Sequence, residues 1–179
     1  MVGASAGSDV YNGRLLNSQS RKTADTEAFA EPLKTATGGG VGGGRQWRFT
    51  KAYGGTLTEK EFHKVLERGG VIGGSSAGAS IQGSFLARGD TSGNTIMVGD
   101  VQQGLGFMRN TAIDQHPVAR GRQKDLPQVP EDPTKKMRQE FNQAELLGNG
   151  IDDDVATAVK AEQTKNHTKD HGTMRTQNT

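Results

Sequence analysis

The stretch that most constrains the fold of this chain is GGSSAGAS, Gly73 to Ser80, directly after the apolar pair Val71-Ile72. Such small residues supply neither the bulky side chains of a core segment nor the charged face of a surface helix. They suit a tight turn, because glycine allows backbones to approach closely. We therefore expect a sharp turn between a buried strand and a closely packed second element.

The sequence around this turn predicts an α/β fold with a mostly parallel sheet. Upstream, Thr58 and Glu61 have the spacing of a capping box, which predicts a helix start, and Gly69-Gly70 predicts its end. Downstream, Ser76 to Leu86 is predicted to be helical. A helix, a strand, a tight turn and another helix in succession are typical of α/β proteins.

The rest of the chain contains weaker signals for regular structure. Further helices are predicted at Asp25 to Thr37 and Lys135 to Leu147, and further strands at Thr95 to Val98 and Asn110 to Ile113. The glycine run 38–44 is not expected to form a stable element by itself. We predict one α/β domain over 25–159, preceded by a loop or disordered segment over 1–24 and followed by a disordered polar tail over 160–179.

The composition limits the size of the core and the class of partner. Hydrophobic residues make up 31% of 179 residues and 26 residues are glycine, so we expect a small core. The net charge of +2 comes from interspersed basic and acidic residues, which gives no support to nucleic-acid binding. The absence of cysteine excludes disulfides, thiol catalysis and thiolate metal sites.

Localisation is predicted from two missing patterns. No apolar run reaches the roughly 18 residues of a membrane span. The first residues, MVGASAGSDV, lack the basic and then apolar pattern of a secretory signal. We expect a soluble, cytoplasmic protein without a membrane partner, provided that the start is complete.

Within the turn, the residues from Gly74 to Gly78 match the pattern G-x-S-x-G between a predicted strand and a predicted helix. In a nucleophile elbow this pattern raises a serine, here Ser76, on a strained turn, and the small neighbours let the backbones nearly touch. The alternative is a packing turn in which Ser76 caps the helix. The residues from Gly3 to Gly7 match the same pattern but have no strand before them and no apolar helix after them.

The candidate general base is His116, because it ends a predicted strand while the other histidines lie on a helix flank or in the polar tail. A structural histidine is the alternative. The run Asp152-Asp153-Asp154 fits a solvated loop, a loose cation site, or a carboxylate that orients an imidazole.

Two further features have both a binding and a non-binding interpretation. Arg120 and Arg122 can grip a substrate carboxylate or can be solvated surface residues. The glycine run matches G-x-G-x-x-G, but no β-branched strand precedes it and no apolar helix follows, as a dinucleotide site requires. Its glycines are better suited to bring backbone N–H groups to a substrate, with Gln46 just after them.

Several of these motifs occur in the order found in one known family. The segments are GGVIGGSSAGASIQGSFLARGDTSGNTIMVGD, LGFMRNTAIDQH and RGRQKDL, and upstream GGGRQWRFTKAYGGT. The chain resembles the cyanophycinase family of serine peptidases, relatives of the aspartyl dipeptidase peptidase E, from about Glu27 to Gln123 and more thinly to Val159. The resemblance implies a three-layer αβα sandwich of the kind shared with class I glutamine amidotransferases.

The resemblance also implies site residues and a substrate class. It implies a catalytic serine, base and acid at Ser76, His116 and Asp153. We expect backbone N–H groups at Ala77, Gly43 and Gly44 to hold the oxyanion. The substrate-binding residues that the resemblance implies are Gln46, Asp114, Gln115, Arg120 and Arg122. Family members cleave β-aspartyl-arginine units from cyanophycin or cut related aspartyl peptides, without a metal or cofactor. We therefore expect an acidic peptide or a cyanophycin-like substrate, and a homodimer is left open.

The chain departs from the family pattern in several places. The family begins with a strand–helix–strand unit for which nothing is evident before Glu27, and only Val41 among glycines stands where an apolar strand is expected. Asp153 is shorter than the family's glutamate, Pro117 follows the histidine, and a polar tail replaces the strands after Val159. The chain is thus expected to be truncated at both ends, so an inactive remnant of the family is the alternative function, with a nucleotide-binding module as the weaker third.

Overall fold

The computed structural model describes residues 2–4, 14–125, 137–138, 141, 146–152, 156–160 and 174–176. The strands are β1 (Val2–Ala4), β2 (Arg14–Leu16), β3 (Gly38–Val41), β4 (Val71–Ser75), β5 (Gly83–Phe85), β6 (Met108–Gln115), β7 (Leu147–Ile151), β8 (Ala156–Lys160) and β9 (Met174–Thr176). The helices are α1 (Arg21–Ala24), α2 (Glu27–Ala30), α3 (Gln46–Tyr53), α4 (Leu57–Glu67) and α5 (Ala77–Ser80), with a 3₁₀ turn at Glu31–Leu33.

The strands form two mostly parallel sheets. The first has the order β2-β1-β3-β4-β8, in which only β8 is antiparallel to its neighbour. The second has the order β5-β6-β7-β9, in which only β9 is antiparallel to its neighbour. Helix α5 contacts β4 in one sheet and β6 in the other. The predicted α/β fold with mostly parallel strands is confirmed, and the short helix after the turn connects its two sheets.

Strand β3 forms from the glycine run that was not expected to be a stable element. It lies between β1 and β4 and pairs with both in parallel, so hydrogen bonds from its neighbours hold its backbone. A Cβ at Gly39 would lie 2.9 Å from a ring carbon of Phe62 and 3.1 Å from Cδ1 of Ile72. The absence of a side chain at Gly39 therefore lets α4 and β4 pack closely against β3. The prediction was wrong because the strand depends on contacts with distant segments and not on its own residues.

The segment 1–24, predicted as loop or disorder, contains β1, β2 and α1. Both strands extend the first sheet in parallel, although no strand was evident in the sequence before Glu27. Each is only three residues long, too short for a hydrophobic period to be visible in the sequence. Ser20 caps α1 by accepting a hydrogen bond from the Thr23 N–H. The predicted helix over 25–37 is instead split into α2 and the 3₁₀ turn, which contains Pro32.

The capping box predicted at Thr58 and Glu61 is wrong. Helix α4 begins one residue before Thr58, with Thr56 as its N-cap. Thr58 instead donates a hydrogen bond to the carbonyl of Ala24, and Glu61 pairs with Lys64. The predicted helix end is confirmed, because α4 stops just before the glycine pair.

The helix predicted over 76–86 is confirmed only for its first turn. Helix α5 ends at Ser80 and strand β5 follows. Ile81, Phe85 and Leu86 are all fully buried, but Phe85 belongs to a different core cluster from the other two. Their spacing therefore reflects a chain buried on several sides, and not one face of a helix.

Four further predictions concern the second half of the chain. The predicted strand over 95–98 is not formed, whereas the strand predicted at Asn110 to Ile113 is the centre of the longer β6. Most of the helix predicted over 135–147 lies outside the described residues, and its last residue begins β7. The tail predicted to be disordered contains β9, an edge strand paired with β7.

The main core joins the helices to the first sheet. Its members are buried side chains that include Phe49 and Tyr53 of α3, Phe62 of α4, Ile72 of β4 and Ile81 after α5. The main core thus contains residues from both sides of the turn at Ser76, together with the helices α3 and α4. Among the described helices, none has the length and apolar character to cross a membrane.

Candidate active site

Ser76 occupies a strained backbone conformation between β4 and α5. Its φ is 52° and its ψ is −122°, a region that residues with a side chain rarely adopt. A Cβ at Gly74 would lie 2.3 Å from the carbonyl oxygen of Gly78, and a Cβ at Gly78 would lie 2.1 Å from that of Val41. The Ser76 hydroxyl makes no capping hydrogen bond to α5. The turn thus has the geometry of an elbow that needs both glycines, and the helix-capping alternative does not describe it.

His116 reaches Ser76 from the end of β6. Its Nε2 lies 3.0 Å from Ser76 Oγ, although the two residues are 40 positions apart in sequence. Its backbone φ is 57°, and its N–H donates a hydrogen bond of 2.6 Å to the carbonyl of Ile151 on β7. The left-handed residue turns the chain sharply at the end of the strand, and the neighbouring strand holds it there. The structure thus brings together the two residues expected to be nucleophile and base.

A pair of buried glutamine side chains adjoins Ser76. The Ser76 hydroxyl donates a hydrogen bond of 2.5 Å to Oε1 of Gln115. Nε2 of Gln115 donates to Oε1 of Gln46 at 3.1 Å. Nε2 of Gln46 donates to the carbonyls of Ala87 and Arg88 at 3.1 and 2.8 Å. Two residues expected to bind substrate are therefore connected to the nucleophile by a continuous chain of hydrogen bonds.

Asp114, also expected to bind substrate, is buried in an ion pair. Its two carboxylate oxygens accept hydrogen bonds from Nε and Nη2 of Arg88 at 2.7 and 2.8 Å. Nη2 of Arg88 also lies 2.6 Å from Oδ2 of Asp125. Burial alone would lower the pKa of Arg88, but its bonds with Asp114 and Asp125 outweigh burial, and that pKa is raised.

Arg88 and Asp125 were not among the predicted site residues. The available signal was an arginine inside the apolar and small-residue segment IQGSFLAR, where the side chain must be buried and paired. Arg88 is 1% exposed. Its positive φ of 56° adds to the strain around the site.

The two arginines after His116 lie on the turn that follows β6. Arg120 is exposed, and Arg122 is half-buried with Nη1 donating to the carbonyl of Asn94 at 2.9 Å. Burial and the charges of Arg88 and Arg120 lower the pKa of Arg122. This effect shows that the three guanidinium groups are near one another. The carboxylates of Asp114 and Asp125 act on the pKa of Arg122 in the opposite direction, so charges of both signs lie near this side chain.

The residues expected to bind an oxyanion adjoin the elbow. A Cβ at Gly43 would lie 3.6 Å from Cβ and 3.9 Å from Oγ of Ser76. Gly44 has a φ of 134°, which is open to glycine and strained for other residues. Ala77 is the first residue of α5 and is fully buried. The glycine run thus passes directly beside Ser76.

Asp153, expected to be the acid of the triad, lies outside the described residues, and its role stays a prediction. Its neighbour Asp152 is described. The Asp152 carboxylate accepts hydrogen bonds from the N–H groups of Val118 at 2.6 Å and Ala119 at 3.3 Å. Asp152 therefore holds the turn that directly follows His116.

The chain is similar to known peptidases in sequence and in structure. The model of peptidase family S51 matches residues 12–167. A curated relative, the cyanophycinase of Geminocystis herdmanii (strain PCC 6308), is 27% identical over 154 residues, which cover 84% of this chain and 53% of that protein. The crystal structure of a peptidase from an acI-B1 Actinobacterium matches with a TM-score of 0.58 at 19% identity, over 84% of this chain and 57% of that chain.

The chain spans just over half the length of these relatives, and the structural match shows that the fold is shared. Because the family model extends over most of the chain, including the elbow and His116, the chain belongs to peptidase family S51.

Proposed function

We propose that this chain is a serine-type peptidase in which Ser76 is the nucleophile and His116 the general base. The observation that carries the proposal is the 3.0 Å separation of Ser76 Oγ and His116 Nε2, on a serine held at a φ of 52°. A nucleophile and a base within hydrogen-bond reach are the signature of activated serine chemistry. A strained, left-handed serine costs folding free energy, which indicates a constraint other than stability.

In this mechanism His116 removes the Ser76 hydroxyl proton while Oγ attacks the carbonyl carbon of the scissile bond. The N–H groups of Ala77 and of Gly43 or Gly44 hold the oxygen on which negative charge develops. His116 then gives its proton to the departing amine, and the acyl group remains on Ser76. A water molecule then attacks the acyl carbon while His116 takes one of its protons, and His116 returns that proton to Ser76 Oγ as the bond between Oγ and the acyl carbon breaks.

The third member of the site is proposed to be Asp153. The resemblance to cyanophycinases implies an acid at this position, and a carboxylate that binds the imidazole fixes its tautomer. Support comes from the preceding residue, since Asp152 binds the turn that follows His116. A triad of Ser76, His116 and Asp153 is therefore consistent with the described contacts.

The proposed substrates are aspartyl peptides of the β-Asp-Arg type, as in cyanophycin. One support is the curated relative named cyanophycinase. The other is the positive charge of Arg120 and Arg122 on the turn that follows His116, which favours the carboxylate of an acidic peptide end. The test is release of β-Asp-Arg from cyanophycin by the purified chain, and a chain that labels at Ser76 but releases nothing would reject this substrate.

The nucleophile is tested with a fluorophosphonate probe, which forms a covalent bond with an activated serine. We expect labelling of the chain to be lost in Ser76→Ala and strongly reduced in His116→Gln. The matched control is Ser80→Ala on α5, because the Ser80 hydroxyl is buried and has no hydrogen-bond partner among the described residues. Removing an unsatisfied hydroxyl leaves the fold equally or more stable.

The control variant should therefore label like the unmodified chain and melt at the same or a higher temperature. Equal labelling of Ser76→Ala and the unmodified chain would overturn the assignment of the nucleophile. Absence of labelling in a chain that melts cooperatively would favour an inactive member of the family.

A further inference from the structure

The backbone carbonyls that contact Gln46 determine which glutamine donates and which accepts in the hydrogen bond between Gln46 and Gln115. A side-chain amide presents an oxygen and an NH₂ group whose positions exchange when the amide flips. Gln46 contacts the carbonyl oxygens of Ala87 and Arg88 with one of these groups. Carbonyl oxygens only accept, so this group must be the NH₂ of Gln46. Its oxygen therefore faces Gln115.

The group of Gln115 that faces Ser76 is determined in the same way. The oxygen of Gln46 only accepts, so Gln115 must present its NH₂ group to Gln46 and its own oxygen to Ser76. Both glutamines are buried, with 1% of Gln46 and 3% of Gln115 exposed, so water does not replace the hydrogen bond between the two amides. The two backbone carbonyls thus determine, through two amides, that an acceptor faces the nucleophile.

An acceptor in this position competes with His116 for the single proton of the Ser76 hydroxyl. A hydroxyl donates only one hydrogen bond. When the proton points at Oε1 of Gln115, Nε2 of His116 cannot receive it, whether that nitrogen carries a proton of its own or not. The 2.5 Å contact between Ser76 Oγ and Gln115 Oε1 therefore belongs to a resting arrangement in which the base is close but not engaged.

We propose that Gln115, oriented by Gln46, withholds the Ser76 proton from His116 until an N–H group of the substrate displaces the hydroxyl from the Gln115 oxygen. The hydroxyl then turns about its Cβ–Oγ bond and donates to Nε2 of His116. Only hydrogen bonds are exchanged in this step. It rests on the proposed function of Ser76 and His116.

The proposal also names the class of substrate that releases the serine. The group that binds Gln115 must be a hydrogen-bond donor, because Oε1 has no proton to offer. An amine, amide or guanidinium close to the scissile carbonyl satisfies this condition, whereas an ester oxygen or a carboxylate does not. Gln115 is thus a positioning residue that makes acylation faster for substrates with a donor at this place.

The test compares two reactions of Ser76 in the same variants. An alkyl fluorophosphonate carries no N–H group and must compete with Gln115 for the hydroxyl, whereas a peptide with a free amine uses Gln115. In Gln115→Leu we expect the rate constant of labelling to rise about three- to tenfold, since one hydrogen bond to the serine is lost. In the same variant we expect kcat/KM for the peptide to fall at least tenfold.

Gln46→Leu provides a second variant, one step removed from the serine. Without the oxygen of Gln46, the amide of Gln115 is free to flip and to donate to Ser76, so labelling should again become faster. The control is Gln82→Leu, a buried glutamine that binds the carbonyls of Gly78 and Thr157 instead of the serine. Its effects on labelling and on peptide cleavage should be parallel.

A parallel fall of both rates in Gln115→Leu and in Gln46→Leu, with intact thermal melting, would overturn the proposal. That outcome leaves Ser76 as the nucleophile, because labelling would still depend on it. Labelling that persists in Ser76→Ala is a separate outcome, and it would reject the proposed function of Ser76.

Discussion

The guanidinium group of Arg88 binds both carboxylate oxygens of Asp114 inside the protein, at 2.7 and 2.8 Å. Asp114 lies on β6 two residues before His116, and the carbonyl of Arg88 accepts a hydrogen bond from Gln46. One buried residue therefore anchors both the strand that carries the base and the amide pair that contacts the nucleophile. The site depends on this ion pair although no atom of it touches Ser76 or His116 among the contacts described.

Removal of Arg88 should strongly destabilise the protein. In Arg88→Ala the carboxylate of Asp114 stays buried without its partner, and breaking a buried pair in this way costs about 3–5 kcal/mol. Arg88→Lys should recover only part of this loss, because an ammonium group does not reproduce the planar fork. Chemical denaturation measures the free energy of unfolding.

The matched control for Arg88 is the double variant Arg88→Met with Asp114→Leu. It removes both charges and should be clearly more stable than Arg88→Ala. A cost for Arg88→Ala below about 1 kcal/mol would show that the pair is solvated, since exposed pairs contribute that little.

The second prediction concerns the glycines of the elbow, which should not tolerate a side chain. Gly78→Ala places a methyl group where a Cβ would lie 2.1 Å from the carbonyl oxygen of Val41, and backbone cannot yield as a side chain can. We expect loss of fluorophosphonate labelling together with a large fall in melting temperature. The control is Gly40→Ala on β3, where a Cβ would meet no atom of the described part of the chain within 4 Å.

Gly40→Ala should be neutral or stabilising by up to about 1 kcal/mol, because alanine restricts the unfolded chain. Normal labelling and stability in Gly78→Ala would mean that the elbow is looser than its contacts indicate.

The elbow could be predicted from sequence because its signals are local. The pattern from Gly74 to Gly78, the apolar pair before it and the end of α4 are all read within about twenty residues. His116 could be identified from its position at the end of a predicted strand and from the resemblance. Both signals lie within one short segment of the sequence. The structure adds the contact between these segments.

The features that could not be predicted arise from packing between distant segments. Strand β3 is made mostly of glycine and exists because β1 and β4 pair with it and α4 covers it. Arg88 and Asp114 are 26 positions apart, and no spacing rule connects them. The contact of Gln115 with Ser76 depends likewise on α5, which packs against both β4 and β6. Long-range contacts of this kind leave no periodic pattern in a single sequence.

The loop after Arg88 makes a prediction about acid stability. Burial opposes ionisation of Asp100, but hydrogen bonds from the hydroxyl and N–H of Thr91 hold its pKa below the ordinary 3.8. A lowered pKa in the folded state stabilises the protein above the unfolded value, and this stabilisation is lost as the pH falls through the folded pKa. Asp100→Asn should therefore be less stable than the unmodified chain at pH 7, and the difference should shrink below about pH 4.

Urea denaturation of both proteins at several pH values measures this difference. Thr91→Val is the matched control, because it removes the hydroxyl donor and leaves the carboxylate. Its destabilisation should also decline in acid. A difference between Asp100→Asn and the unmodified chain that does not change with pH would contradict the assignment.

Asp152 should control the position of His116 through the turn that follows it. Its carboxylate accepts the N–H groups of Val118 and Ala119, while the preceding residue, Ile151, accepts the N–H of His116 itself. Asp152→Ala leaves the turn without these acceptors, so His116 should be less well aligned with Ser76. We expect kcat for peptide cleavage to fall about ten- to a hundredfold, with KM changed much less, because misplacement of a catalytic group by about 1 Å has effects of this size.

Asp152→Asn separates this role from that of a charge. The amide oxygen of asparagine still accepts a hydrogen bond from the turn, so this variant should recover most of the activity that Asp152→Ala loses. If Asp152→Asn were as slow as Asp152→Ala while both melt normally, the negative charge itself would be required. Asp152 would then compete with Asp153 for the role of the third catalytic residue.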